Sequence, residues 1–565
     1  MRYEDRPWLA SYDENVPPDV KIPKDMTFAD LIEKGISAFP EQPGIHFMGV
    51  AVSFGQLKAM SASIGAFLQE NGMGPGDVIG IHLPNIPQYL ITLCASMRAG
   101  TASTGVSALL TPKELAYQIN DSGVKVLVTL DFLFEQKLLP VANQVPNLKH
   151  VLVCNVADFL PAYKRILGKL LKKVPTGKVI PLSGKKIVSF SDVLKKYPPR
   201  IEKPSLTQDD AALIQYTGGT TGLPKGVVLT HGNLVANYCQ VNAWADFTPG
   251  EDVFCSGFPF FHQAGQIFGL AAMVTSNPQC LVPDPRDTNL ICNMIEKHKV
   301  TVMANVPTLY HMLMDNPKFK TLDFSNLRVC VSGAAPFSEK GIRAMEQIVG
   351  QGKVLEVYGM TETSPLITGN PYKGQSRIGS VGLPFPNTKV RVVDTEDRSR
   401  EVPPGQEGEL AVSGPQVMAR YHNKPEETDH AVRTIDGQRW LFTGDVVRMD
   451  EDGFFFIVDR AKDMLNVGGY KVFSREVEEG LYKVPEVEFC AIVGEKNPDR
   501  PGSEIVKAVI QLKESAKSKD PKALEEKILA YCKENMAPYK IPKIIQFTNA
   551  IPLTAVGKVD KKQLR

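Results

Sequence analysis

One run limits what this chain can fold into more than any other: Gln215-Tyr216-Thr217-Gly218-Gly219-Thr220-Thr221-Gly222-Leu223-Pro224-Lys225-Gly226. It follows the apolar residues 211–214, so it is expected where a strand ends. Gly218, Gly219 and Gly222 let the main chain approach a polyphosphate and take positive φ. The hydroxyls and N–H groups of Thr217, Thr220 and Thr221 can donate to its oxygens, and Lys225 adds a cation. A Walker loop is excluded, because leucine and proline separate Gly222 from Lys225 and no serine or threonine follows the lysine to hold Mg2+. A pair of glycines alone would read as an ordinary turn; so long a stretch of one chemistry does not.

A phosphate loop at a strand end needs an α/β scaffold, and the rest of the chain supplies one. Short apolar runs bounded by Gly and Pro, such as 124–129 and 327–332, alternate with helix-period stretches. In residues 53–71, for example, Leu57, Met60, Ile64, Phe67 and Leu68 recur at spacings of three and four. At 565 residues the chain exceeds a single core. The pattern predicts a large N-terminal domain over 1–459, built of several subdomains of sheets and helices. A smaller, mobile α+β domain follows over 460–565, with a hinge at 460–463. The smaller unit carries strand-like runs at 487–493, 504–511 and 544–547, a helix at 521–535 and a solvated loop at 514–522.

Charge and cysteine usage remove several function classes. The 64 Lys+Arg against 62 Asp+Glu leave a net charge of +2, which is no footprint for nucleic acid. The nine cysteines form no CxxC pair or Cys/His cluster with metal-ligand spacing. The first twenty residues hold acids and prolines where a signal peptide needs an apolar core, and no apolar run reaches the ~18 residues that cross a bilayer, so the cytoplasm is the expected location. One stretch qualifies this. Wound as a helix, Phe159, Leu160, Tyr163, Ile166, Leu167, Leu170, Leu171 and Val174 form an apolar arc, while Lys164, Arg165, Lys169, Lys172 and Lys173 fill the rest of the circle. The plainer reading is a surface helix packed on the domain body; the sharper one is a peripheral contact with the anionic inner face of a membrane through 159–174. An oligomer is compatible with the sequence, which is silent on it.

The glycine and threonine run resembles the phosphate-binding signature of the adenylate-forming superfamily, which includes acyl-CoA synthetases, firefly luciferase and peptide-synthetase adenylation domains. The resemblance extends in order over nearly the whole chain. Pro259-Phe260-Phe261-His262 is similar to the family's aromatic-His motif, and Ser332-Gly333-Ala334-Ala335-Pro336 to its adenine-flanking turn. Glu356-Val357-Tyr358-Gly359-Met360-Thr361-Glu362 resembles the YGxTE element, and Phe442-Thr443-Gly444-Asp445 the TGD element. Asp459-Arg460-Ala461-Lys462-Asp463 resembles the interdomain hinge, and Leu553-Thr554-Ala555-Val556-Gly557-Lys558 the C-terminal catalytic lysine motif. The Pro7-Trp8-Leu9 start and the stretches SRIGSVGLPFPNTKV and GPQVMARY look most like bacterial AMP-forming long-chain fatty acid CoA ligases.

The resemblance implies that ATP, Mg2+ and CoA are used: a carboxylate attacks the α-phosphorus of ATP, pyrophosphate leaves, and the CoA thiol then displaces AMP. In that scheme Tyr358 offers a face for adenine, with Gly333, Ala334 and Ala335 opposite and Glu356 and Gly359 on the same element. Asp445 would accept from the ribose hydroxyls, shared with Arg460. Thr361 would donate to a phosphate oxygen, Glu362 would bind Mg2+, and Lys225 and Lys558 would act on the phosphate and carboxylate charges. Lys462 falls at the hinge, and Gly468-Gly469 would line a pantetheine tunnel in a second orientation of the small domain; their plainer reading is a hairpin turn.

The acid is narrowed by what is missing. Peptide-synthetase relatives place an aspartate beside the aromatic motif, whereas this chain has Phe260-Phe261-His262-Gln263, so an amino acid is disfavoured. Residues 258–274 are rich in Phe, Gly and Ala, as an apolar slot requires, with His262 at its entrance. Acetate-specific relatives carry tryptophan at the position of Gly359, and glycine is expected to leave the slot open. A medium- or long-chain fatty acid is therefore expected, with an aromatic or alicyclic acid, or transfer to a carrier protein instead of CoA, as alternatives. Gln266 stands where some long-chain members have a gating tryptophan, so that gate need not carry over.

Overall fold

Helix starts are set by local capping chemistry. The helix Phe54–Glu70 begins after Ser53, whose side chain accepts from Gln56 N–H while the Gln56 side chain closes back on Ser53, and it buries Leu57, Ile64, Phe67 and Leu68. In the computed structural model, residues 2–161, 163–164, 174–217, 223–460, 463–467, 470–498, 500, 503–554 and 558–565 are described. The α/β class expected from the sequence is the one observed.

Among the described residues two large sheets build the N-terminal part. An eight-stranded sheet places Val78–His82 between Ala102–Gly105 and Val124–Leu130, all parallel, and extends through β1 (Ala211–Thr217) to β2 (Lys225–Thr230). The helix α1 (His231–Ala245) follows, started by a capping box between Thr230 and Asn233. A nine-stranded sheet is formed around β3 (Phe254–Ser256), which is followed by the helix α2 (Gln263–Val274). It continues through β4 (Val302–Asn305), β5 (Val329–Ser332) and β6 (Val354–Gly359), all parallel, then turns antiparallel at β7 (Leu366–Gly369). These central strands are short and almost wholly buried, as strands covered on both faces must be. The core joins the two sheets: Tyr89, Phe260 and Leu270 lie in one apolar cluster, and the Tyr89 hydroxyl donates to the Phe260 carbonyl at 2.7 Å.

A third, antiparallel sheet contains Gly408–Ser413, and after the short helix α3 (Pro425–Ala431) come β8 (Gln438–Met449) and β9 (Phe455–Arg460). Beyond it, α4 (Ser474–Leu481) and the helix Pro521–Asn535 share an apolar cluster with a sheet of Val487–Lys496, Glu504–Leu512 and Ile544–Thr548. The region expected as a solvated loop, 514–522, is more ordered than that: Glu514–Ala516 is a 3-10 turn with Ala516 buried, and Asp520 caps the helix that starts at Pro521. Most of the basic amphipathic stretch, 162 and 165–173, lies outside the described residues. At its start Phe159 and Leu160 pack on the main core, while Tyr163 is 61% exposed. No helix among the described residues is long and apolar enough to cross a membrane.

Candidate active site

The flanks of the glycine-rich run pair with each other. β1 and β2 are antiparallel up to Thr217 opposite Lys225, so the run joins strand to strand instead of strand to helix as in a Walker loop. Gly218, Gly219, Thr220, Thr221 and Gly222 themselves lie outside the described residues, as do Lys462, Gly468 and Gly469. The strands beside those last two glycines, Leu465–Val467 and Tyr470–Val472, pair antiparallel, which is the arrangement of their hairpin reading.

Thr217, Lys225, His262, Gly333, Ala334, Ala335, Glu356, Tyr358, Gly359, Thr361, Glu362, Asp445, Arg460 and Lys558 all line one cavity of about 2190 Å3. At one end of the cavity β8 and β9 place Asp445 directly across from Arg460. One carboxylate oxygen of Asp445 faces Arg460 Nε at 3.1 Å and the other accepts from the Tyr358 hydroxyl at 2.6 Å, leaving a lone pair on each for further donors. The turn before Asp445 is held from behind: Gly444 N–H donates to buried Glu409 at 2.9 Å, and Arg398 grips that carboxylate at 2.7 and 2.9 Å. Ala334 takes φ of 65°, a strained conformation for a residue with a Cβ. A Cβ on Gly333 would sit 3.0 Å from the Val357 side chain, a contact tighter than ordinary packing.

Glu362, also in the cavity wall, is buried on the turn Thr361–Thr363 and accepts from the Tyr421 hydroxyl at 2.7 Å. Burial pushes its carboxyl above the usual range, and the Tyr421 hydrogen bond pulls it partly back. A hard carboxylate oxygen here suits Mg2+, which is commonly held by one or two carboxylates together with substrate phosphates and water. Among the described residues no group of three or more His, Cys, Asp or Glu side chains could hold a metal alone. Lys225 is ion-paired with Glu427 and lies 5.1 Å from the Tyr421 ring centroid. Tyr421 closes the GPQVMARY stretch but is given no role by the sequence, and Glu427 is found only through the fold.

His262 caps α2: Ala264 N–H donates to its Nδ1 at 3.3 Å. Burial first, then Lys558, pushes its pKa down to about 3, so the ring is neutral. With Nδ1 accepting, the proton sits on Nε2, which becomes a donor. Gln266, by contrast, turns away from the cavity and pairs with Gln215 of β1.

Behind this polar mouth an apolar slot runs down the sheet. Phe254, Val302 and Val329 are in register across β3, β4 and β5, with Ala304, Val331 and Leu355 in the next row on the same face. Ala264, Ile267, Phe268 and Ala271 of α2 cover one side, and Tyr238, Val241, Asn242 and Ala245 of α1 another, each set at helical spacing. Phe247 and Tyr372 also line the cavity and pack with Phe254 and Val329. From residues 258–274, Phe258, Phe261, Ala264, Ile267, Phe268 and Ala271 thus line the cavity. Gly359 lines the cavity, but its glycine has a different cause from the one the sequence suggested. A Cβ there would collide with the Pro365 carbonyl just before β7 and sit 2.8 Å from Leu366 Cα.

Glu356 yields a pH prediction. It is 6% exposed, and burial raises its carboxyl to about 7 even with Arg475 nearby. Its folded pKa therefore exceeds its unfolded one, the native state binds more protons between roughly pH 4.5 and 7, and stability falls as pH rises through that window. Glu356→Gln keeps an acceptor for Gly379 N–H, now 3.1 Å away, and should stabilise the fold at pH 8 by on the order of 3 kcal/mol, seen as a higher Tm, with little change at pH 4.5. A lower Tm at pH 8 would contradict this.

Comparison with known proteins gives one answer. The family model for AMP-binding enzymes matches residues 32–422, and that for the AMP-binding enzyme C-terminal domain matches 476–558. The chain is 36% identical to a long-chain-fatty-acid–CoA ligase of Bacillus subtilis strain 168, over 99% of this chain and 97% of that protein. Its fold is similar to the crystal structure of the anthranilate CoA ligase AuaEII in complex with anthranoyl-AMP, with TM-score 0.81, 25% identity, and coverage of 100% and 98% of the two chains. It is also similar to ATP-bound MatB from Rhodopseudomonas palustris, with TM-score 0.79, 27% identity, and coverage of 96% and 98%.

Proposed function

The chain belongs to the AMP-binding enzyme family, and from that premise we propose that it is an AMP-forming acyl-CoA ligase for medium- or long-chain fatty acids. The observation that carries the word fatty is the slot between α1, α2 and the face of β3 to β6, apolar from His262 down to Phe247 and Tyr372. Both half-reactions would draw on both domains, in two orientations of the smaller one, and we place the domain boundary at 459/460.

In the first half-reaction Tyr358 and the Gly333-Ala334-Ala335 wall take adenine, and Asp445 takes the ribose hydroxyls. Thr361 and Lys225 contact the phosphates. Glu362 would hold Mg2+, which supplies charge neutralisation of the polyphosphate. His262 donates from Nε2 toward the carboxylate, and Lys558 stabilises charge developing between carboxylate and α-phosphate. In the second, rotation about Lys462 would withdraw Lys558 and bring Gly468-Gly469 to a pantetheine path.

The test is acyl-CoA synthesis with free CoA across linear acids from C2 to C18 and a set of aromatic and alicyclic acids. Activity confined to cyclic acids, or adenylate formed without acyl-CoA, would overturn the proposal. A peripheral membrane contact through 159–174 is a second, separable proposal resting on the basic and apolar arcs of that stretch. Reversing the charges of Lys169, Lys172 and Lys173 should weaken co-sedimentation with anionic vesicles severalfold; unchanged binding favours a helix packed on the protein.

A further inference from the structure

The cation of the phosphate loop already has an anion. Lys225 Nζ is ion-paired with Glu427 of α3, and the ammonium lies 5.1 Å from the ring centroid of Tyr421. The Tyr421 hydroxyl donates at 2.7 Å to Glu362, so one side chain touches both the phosphate cation and the carboxylate assigned to Mg2+. The segment bearing Glu427 is tied to the same place, since Tyr421 N–H donates to the Thr428 hydroxyl at 3.0 Å. Glu427 is half-exposed, at 46%, against 29% for Lys225, so its carboxylate can swing into water at small cost.

A β,γ-phosphate group arriving between Lys225 and Glu362 brings the charge that Glu427 already supplies. We propose that Glu427 is a placeholder anion: it holds Lys225 in position while polyphosphate is absent and is displaced when polyphosphate binds, so that ATP affinity is set by competition for one ammonium group. The inference rests on the reading of this cavity as an ATP site. Lys225 is kept from wandering, and Tyr421 keeps contact with both partners before and after the exchange.

The experiment is calorimetric titration of the full chain with MgATP and, separately, with AMP, in the absence of fatty acid and CoA. The chains compared are the unaltered one, Glu427→Gln, Glu427→Ala, Lys225→Gln and the Glu427→Gln/Lys225→Gln pair. Removing the competing charge should tighten MgATP about two- to fivefold, the equivalent of a partly exposed ion pair. The gain should shrink with added salt and vanish in the Lys225→Gln background. AMP, lacking the outer phosphates, should gain little. Unchanged or weaker MgATP binding in both Glu427 variants would overturn the proposal, as would an equal gain for AMP or a gain that survives Lys225→Gln. Absence of MgATP binding in every chain would overturn the ATP reading with it.

Discussion

Lys558→Ala is expected to lower acyl-adenylate formation by at least about 10²- to 10³-fold, the usual cost of removing one charge-stabilising donor from a closed site. Lys558 lines the cavity that also holds Tyr358, Glu362 and Asp445, and its charge is close enough to help lower the pKa of His262. Its main chain is anchored, with Thr554 N–H donating to the Lys558 carbonyl at 2.7 Å and Lys558 N–H to the Thr554 hydroxyl at 3.2 Å. These bonds are made by the main chain, so truncation keeps them while removing the ammonium and its alkyl stem. The same variant, given preformed acyl-AMP and CoA, should make acyl-CoA at nearly the normal rate, because thioester formation is assigned to a second orientation from which Lys558 is withdrawn. Pyrophosphate release and single-turnover thioesterification separate the two steps. Equal loss in both would refute the assignment of two poses.

The parts of this molecule that could be read from sequence are those whose cause is local. The capping box of Ser53 and Gln56 and the spacing of Leu57, Ile64 and Phe67 specify a helix without reference to anything distant. The strand before Gly218 was legible for the same reason, although not its return as a paired strand at Lys225. Asp445 and Arg460 were paired only through the resemblance, and the β8–β9 register is what sets them directly across from each other. The slot was partly hidden because its faces come from segments far apart in sequence, Phe254, Val302, Val329 and Leu355 on one side and α2 on the other. Each looks like ordinary core until the sheet aligns them. Gly359 shows the opposite limit: the glycine was noticed, but the approach of the Pro365 carbonyl that demands it exists only after β6 and β7 pair.

Ala271→Phe should convert a long-chain enzyme into a short-chain one. Ala271 faces the cavity from α2, seven residues beyond Ala264 and so about 10 Å deeper than the end that His262 caps. A benzyl group there would plug the slot partway, leaving room for a short acyl chain and excluding the far methylenes of a long one. Each buried methylene is worth about 0.8 kcal/mol, so losing places for four or five costs about 3 to 4 kcal/mol, or roughly 10²- to 10³-fold in kcat/KM for a C16 acid. A C6 acid, which ends before the obstruction, should change by no more than a few-fold, and KM for ATP should hold. Because the new ring enters an open slot instead of a filled core, the usual overpacking penalty of about 1 to 3 kcal/mol should be largely avoided, and Tm should stay close to that of the unaltered chain. A uniform loss at every chain length would mean that the helix had moved as a whole, and an undiminished C16 rate would place the acyl chain elsewhere than between α2 and the face of β3 to β6.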